Sequence, residues 1–206
     1  MKLTQTQTAK IQKLLDRVAA DVYPEPPSEL HTQITLRMTD RFFAQSGLTA
    51  GSTLLDIGCG SGPALAEFRK RGCSAIGITL GHHDLDACRQ QGFDVRFMDQ
   101  SFLDFEDGAF DGVWARHCLE HSVIPYLTLL EFHRVLRPGG ALYVEVPAPD
   151  TSCAHQTNRN HYSVLGKSMW AQLMIRAGFG IIEVQDIKIT TAAGPDVYWA
   201  FILNRQ

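Results

Sequence analysis

The sequence predicts a three-layer α/β protein: a doubly wound, mostly parallel seven-stranded sheet with an antiparallel C-terminal strand, preceded by an N-terminal helical segment. Three observations predict it. From residue 52 onward, short apolar runs alternate with helix-period segments, the pattern of a parallel sheet covered on both faces. The first apolar run, Leu54-Leu55-Asp56-Ile57, enters the glycine loop Gly58-Cys59-Gly60-Ser61-Gly62, and a helical stretch comes after it. The chain has 206 residues, 45% hydrophobic and 20% charged, which suits one domain that buries its own core without disulfides or structural metal.

Taken in order, residues 4 to 20 carry Ile11, Leu14, Leu15 and Val18 at helical spacing, and Pro24, Pro26 and Pro27 end that helix. Leu30 to Phe43 forms a second helical stripe through Ile34, Met38 and Phe42, punctuated by Gly47 and Gly51. Strands are expected at Thr53 to Ile57, Ser74 to Leu80, Asp94 to Met98, Phe110 to Ala115 and Ala141 to Val146. Helices are expected between them at Ala64 to Arg71, Asp84 to Gln91 and Ile124 to Leu136, with Pro138-Gly139-Gly140 turning the chain into the fifth strand. Residues 147 to 163 read as a long loop. A helix at Ser168 to Ala177 and strands at Ile181 to Thr190 and Val197 to Leu203, joined through Gly194-Pro195, complete the chain. One domain over 1–206 thus divides into a helical cap (1–47), a binding core (50–147) and a closing part (148–206). Ligands in such folds sit beyond the carboxyl ends of the strands.

The formal net charge of −3, without a long basic run, gives no electrostatic reason to dock on nucleic acid or an anionic membrane. The opening Met-Lys-Leu-Thr-Gln-Thr-Gln-Thr lacks a signal peptide's apolar run, and no stretch approaches the ~20 apolar residues of a membrane span. Five scattered cysteines with no Cys-x-x-Cys pair indicate a reduced, cytoplasmic protein with buried free thiols.

The glycine loop carries the most chemistry. Glycine allows a sharp turn and close ligand approach to the backbone, and the helix after the loop offers unpaired N–H groups. A dinucleotide fingerprint needs Gly-x-Gly-x-x-Gly. Here the spacing is Gly-x-Gly-x-Gly, and Pro63 stands where that fingerprint wants glycine. Asp56 before the loop repels a pyrophosphate and attracts a cation, which favours S-adenosylmethionine with its ammonium and sulfonium.

Leu54 to Gly62 resembles motif I of class I methyltransferases. The resemblance continues through Asp99-Gln-Ser-Phe-Leu-Asp-Phe-Glu-Asp-Gly-Ala-Phe-Asp111, Leu119-Glu120-His121, Glu131 and Arg134-Val-Leu-Arg-Pro-Gly-Gly140. It covers about residues 50 to 147 and is similar to the type-11/type-23-like branch. It implies that Asp56 and the backbone of Gly58 and Gly60 hold the amino acid end of S-adenosylmethionine. It further implies that Asp99 accepts from the adenine amino group, with Gln100 and Ser101 lining that pocket. Many relatives end the second strand in an acidic residue for the ribose; this chain has Thr79 there. Cyclopropane-forming and related methyltransferases are similar to this stretch, which implies that Thr79 and Asp84 share the ribose. A hydroxyl supplies fewer such bonds than a carboxylate. His82 and His83 are expected as exposed loop residues.

Methyl transfer is an in-line displacement for which positioning supplies much of the catalysis. Two loops supply acceptor-side candidates, Ala115 to His121 and Glu145 to Tyr162. His117 directly succeeds the fourth strand and suits a base or an acceptor-orienting role. Glu145 needs a partner if buried, with Arg116 or a histidine available; His161 stands in the second loop. Arg116 either clamps an anionic acceptor or pairs with Glu120. His117-x-x-Glu120-His121 also fits a written zinc-protease pattern, but begins at a strand end rather than on a helix. No metal is expected; the alternative is that His117, His121, His155 and His161 gather one. Tyr23, His31, Arg37 and Met38 of the cap are candidates to face the acceptor, with packing on the sheet or a homodimer as the other uses of that segment. The expected reaction is methyl transfer to a small molecule, at oxygen or nitrogen ahead of carbon. The competing readings are a non-catalytic S-adenosylmethionine-binding protein and, opposed by the glycine spacing and Asp56, a nicotinamide enzyme.

Overall fold

The computed structural model describes residues 2–21 and 28–206. Tyr23, Pro24, Pro26 and Pro27 lie outside the described residues. Seven strands form one sheet in the order β3-β2-β1-β4-β5-β7-β6. They are β1 (Thr53–Ile57), β2 (Ser74–Thr79), β3 (Asp94–Phe97), β4 (Phe110–Arg116), β5 (Leu136–Pro147), β6 (Phe179–Thr191) and β7 (Gly194–Arg205). β7 is antiparallel to both its neighbours, and the first five strands pair in parallel. The helices are α1 (Gln5–Ala20), α2 (Glu29–Ser46), α3 (Pro63–Lys70), α4 (His82–Gln90), α5 (Pro125–Val135) and α6 (Lys167–Arg176). Among the described residues no helix is long and apolar enough to cross a membrane.

Local chemistry sets the element ends. Thr4 caps α1 with a reciprocal capping box to Gln7. Ser28 caps α2 at its start, and Gly47 ends it in the left-handed conformation (φ 68°). α4 begins at His82, so His82 and His83 are exposed first-turn residues rather than loop residues. The reason is a ring stack of His82 on Phe97 (4.7 Å), which favours continuing the helix back to Gly81. β5 starts earlier than expected, at Leu136, because Leu136 pairs with Phe110 before a register shift at the Pro138-Gly139-Gly140 bulge. The β6–β7 turn is Ala192-Ala193: Thr191 already faces Gly194, and Gly194-Pro195 opens β7.

Two apolar layers flank the sheet. On one side α2 and α3 press Ile34, Met38, Phe42 and Phe68 onto Trp114 and Tyr143. Trp114 and Tyr143 stack at 3.9 Å, and Phe42 and Phe68 tilt against Trp114 at 5.7 and 6.0 Å. Met38 therefore belongs to this core, and Arg37 of α2 is exposed. On the other side α5 and α6 bury Leu129, Phe132, Trp170 and Met174 against Leu142, Val144 and Phe201. All five cysteines are free; Cys59, Cys88 and Cys118 are buried, and Cys73 and Cys153 are partly exposed.

Trp114 is 1% exposed at the centre of that aromatic cluster. Trp114→Ala should destabilise the protein by about 3–5 kcal/mol through lost transfer energy and a cavity. Urea denaturation should show a lower midpoint at an unchanged slope.

Candidate functional site

The strand order reverses between β1 and β4, and a cleft of about 430 Å³ opens there at the carboxyl ends of the strands. Gly58, Gly60, Thr79, Asp84, Asp99, Gln100, Ser101 and His117 line it. Its roof is α1, whose Ile11, Leu14, Leu15 and Val18 face the cavity. A smaller polar hollow of about 160 Å³ adjoins it across Gly58, Gly60 and His117 and contains Asp56, Arg116, His31, Thr32 and Thr35.

In the hollow, Asp56 is 2% exposed and its Oδ2 has no hydrogen-bond partner. Burial pushes its carboxyl well above the usual range, Cys88 adds to the rise, and Arg116 opposes it. Nε and Nη2 of Arg116 are likewise buried without hydrogen bonds. Nε lies 2.9 Å from Glu145 Oε1, so that contact is an ion pair without hydrogen-bond alignment. A buried acid and a buried guanidinium, each with an atom unsatisfied, complement a zwitterionic amino acid group. Gly60 (φ 50°) presents bare backbone beside them; a Cβ there would meet nothing within 4 Å. At Gly58 (φ 65°) a Cβ would stand 3.0 Å from that of Cys118, so both position and conformation demand glycine.

Around the rest of the cleft the polar atoms are partly spent. Thr79 Oγ1 accepts from Gly81 N (3.0 Å), which leaves its own proton free to donate. Thr79 and Asp84 converge over Gly81: a Cβ built there would lie 3.5 Å from Thr79 Oγ1 and 3.1 Å from Asp84 Oδ2. Asp99 Oδ1 accepts from Ser101 N (2.7 Å), an Asx turn that fixes the carboxylate. Gln100 Nε2 donates to Cys118 O (2.7 Å), and Gln100 Oε1 is buried and unsatisfied. The Ser101 hydroxyl joins an internal chain with Thr128 (2.8 Å) and Ser122 (2.6 Å).

His117 adopts φ 51°, a strained conformation for a residue with a side chain. Its Nε2 lies 2.9 Å from Glu145 Oε1 and its Nδ1 3.4 Å from Glu120 Oε1. Burial opposes its charge, but the two carboxylates prevail and raise it to about 9. Burial likewise opposes the charge on Glu145, yet Arg116, His117 and Tyr143 hold it down to about 2; the Tyr143 hydroxyl donates to Oε2 at 2.5 Å. Glu145 is fully buried beneath the cleft and reaches it only through these neighbours. Arg116 thus pairs with Glu145, and Glu120 faces His117.

His161 stands outside the cleft lining, its ring 4.8 Å from that of His121, which does line it. Burial pushes His161 down to about 4. The four histidines of the acceptor loops do not form one cluster: His117 is taken by Glu145, and His155 bonds both oxygens of Asp196 (3.1 and 2.9 Å). Of the cap residues, His31 lies in the polar hollow and its Nε2 sits 3.3 Å from the Tyr198 hydroxyl. Sequence reasoning missed the tie between cap and acceptor loop. Asn160 Nδ2 donates to Asp21 O (3.4 Å), and the Tyr162 hydroxyl donates to Asp21 Oδ2 (2.7 Å). The amphipathic stripe of α1 was the available signal.

A family model described as a methyltransferase domain matches residues 55–144. The chain is 28% identical over 209 residues to the methyltransferase GfsG of Streptomyces halstedii, covering 90% of this chain and 74% of that protein. It is 32% identical over 140 residues to the 27-O-demethylrifamycin SV methyltransferase of Amycolatopsis mediterranei (strain S699), covering 62% of this chain and 52% of that protein. In fold it is similar to the crystal structure of the [4+2]-cyclase SpnF, with a TM-score of 0.71 at 21% identity over 98% of this chain and 96% of that one.

The raised carboxyl of Asp56 has a stability consequence. A carboxyl whose native value lies above its unfolded value of about 4 favours the folded state most at low pH, and that contribution is lost as pH rises through the native value. Asp56→Asn should therefore raise the melting temperature of the ligand-free protein at pH 7, and the gain should vanish below about pH 4. Scanning calorimetry across that range measures it.

Proposed function

We propose that the chain is a class I methyltransferase and that it moves the methyl group of S-adenosylmethionine to an oxygen of a small, largely apolar acceptor. The unsatisfied atoms of Asp56 and Arg116 carry this reading, because both side chains line one polar hollow that adjoins the cleft. Asp56 takes the ammonium and Arg116 the carboxylate, against the backbone of Gly58 and Gly60. Thr79 and Asp84 take the ribose; Asp99, with Gln100 and Ser101, takes the adenine. That arrangement aims the sulfonium methyl at the loop after β4.

On the acceptor side His117 is held between two carboxylates, so it serves better to orient the acceptor than to take its proton; Glu145 fixes its ring, and His161 stands behind His121, outside the cleft lining. When bound, S-adenosylmethionine supplies the methyl group on a good leaving group. The chain's residues supply alignment, and the α1 roof excludes water. The apolar roof of Ile11, Leu14, Leu15 and Val18 supports an acceptor with an apolar body. The Amycolatopsis relative is named for a demethylated oxygen, which supports oxygen as the acceptor atom. The fold shared with a [4+2]-cyclase favours a second reading, an S-adenosylmethionine-binding protein without methyl transfer. Labelled cofactor offered with a panel of hydroxylated acceptors separates the two.

Calorimetry with S-adenosylhomocysteine should show Asp56→Asn weakening binding by about 1–3 kcal/mol. The Thr79→Ala, Asp84→Ala double variant should bind more weakly than either single variant. Wild-type affinity in all of them would overturn the site assignment. On the acceptor side, Leu15→Ser should raise the acceptor KM about tenfold, from roughly 1.5 kcal/mol of lost apolar burial, with S-adenosylhomocysteine affinity unchanged. Steady-state kinetics with an accepted substrate checks it.

A further inference from the structure

Among the described residues, two groups of three side chains bring metal-ligating atoms together: Cys153, His155 and Asp196, and Glu120, His121 and His161. The first group is satisfied from within. His155 bonds both Asp196 oxygens, Val197 N donates to Asp196 Oδ1 (2.9 Å), and Cys153 Sγ lies 3.2 Å from the Thr191 hydroxyl. It acts as a clasp between the acceptor loop and the β6–β7 hairpin.

The second group is not satisfied. Glu120 is 1% exposed, and neither carboxylate oxygen has a hydrogen bond. Its charged neighbour His117 stands at 3.4 Å without hydrogen-bond alignment. His161 has Asn158 against Nε2 (3.3 Å), and its buried Nδ1 has no partner. His121 turns Nδ1 to the carbonyl of Asn160 (3.0 Å), which fixes the ring and aims the Nε2 lone pair away from that bond. The main chain delivers these groups to one place. Ser163 N donates to Glu120 O (2.9 Å), and Ser163 Oγ donates to Ser122 O (2.8 Å), which zips the acceptor loop onto the turn at Leu119–His121. The three ligand atoms lie within 4.8 Å of one another. Bonds of about 2.0–2.1 Å to one ion would bring them to about 3.0–3.4 Å apart, a change that side-chain rotation of about 1 Å supplies.

We propose that Glu120, His121 and His161 bind one divalent transition-metal ion at the wall of the cleft, leaving an open coordination position for an oxygen of the acceptor. Two imidazoles and one carboxylate suit zinc, iron(II), cobalt or manganese and disfavour calcium and magnesium, which prefer all-oxygen shells. His121 lines the cleft, so an ion held by it borders the space of the acceptor. The ion acts there as a Lewis acid. The coordinated hydroxyl releases its proton to solvent, and its oxygen bonds to the methyl carbon as the carbon–sulfur bond breaks. The electron pair of that bond stays on sulfur, so alcohol plus sulfonium gives ether, thioether and one proton. This use rests on the methyl-transfer reading; the binding of the ion does not.

The test is a titration of chelator-dialysed protein with cobalt(II) alone, monitored by calorimetry and by visible absorption of the coordinated ion. The expected result is one saturable equivalent, with binding weakened about 10–100-fold in both Glu120→Gln and His161→Ala. His161→Ala, in a loop, should keep the wild-type melting temperature, which separates ligand loss from misfolding. The absence of saturable binding, or wild-type binding in both variants, overturns the site. S-adenosylhomocysteine is titrated into the same samples. Cofactor binding without metal binding overturns the metal site alone, whereas metal binding without cofactor binding overturns the methyl-transfer reading and leaves the site standing.

Discussion

At the carboxyl ends of β1, β4 and β5, Asp56, Arg116, His117, Glu120 and Glu145 carry ionisable groups on side chains that are buried or nearly so. Removing such groups from solvent costs several kcal/mol each unless partners are placed to meet them. Strand register does the placing. Arg116 and Glu145 are neighbours across the β4–β5 pair, and His117 N donates to Glu145 O (2.9 Å) as the chain leaves the sheet. The left-handed turn at His117 then points its ring at Glu145 rather than along the strand. What remains unmatched, at Asp56, Arg116 and Glu120, lies where the ligands are proposed to bind. The fold concentrates its electrostatic cost in one place and leaves ligands to offset it.

The rigidity that holds those charges comes from both apolar layers. The stack of Trp114 on Tyr143 ties the middle of β4 to the middle of β5, and the Tyr143 hydroxyl also reaches Glu145. One aromatic side chain thus links core packing to the charged site. The cleft roof is built differently. None of the residues of α1 is buried, and α1 meets the acceptor loop through Asp21, Asn160 and Tyr162. A roof held by a few polar contacts opens at far lower cost than the sheet beneath it.

Much of this was legible in the sequence, for identifiable reasons. The glycine loop, Asp56 and Asp99 could be placed because turn chemistry is local, and the strands because a parallel sheet buried on both faces needs continuous apolar runs. The turn at Ala192-Ala193 is short enough to make β6 and β7 antiparallel neighbours. The extents of β5, β6 and β7 were underestimated, because pairing across a bulge and along a hairpin is set by the partner strand rather than by the residues themselves. Met38 is core because the helix stripe that carries it faces Trp114. Glu120 gave no sequence sign of burial, since a glutamate at a turn ordinarily points to water. Only the return of the acceptor loop through Ser163 encloses it. The positive φ of His117 was equally invisible, being imposed by the geometry of leaving the strand.

The insertion of β7 between β5 and β6 bears on the order in which the molecule is made. β6 is synthesised before β7 yet lies outside it, and pairs with nothing else in the sheet. Until Gly194–Arg205 has left the ribosome, β5 presents an open edge and β6 has no partner. Half-finished chains therefore expose apolar strand edges of the kind that recruit other chains. The domain becomes safe from self-association only once β7 has been made and paired, and the demand for chaperones falls on the interval before it.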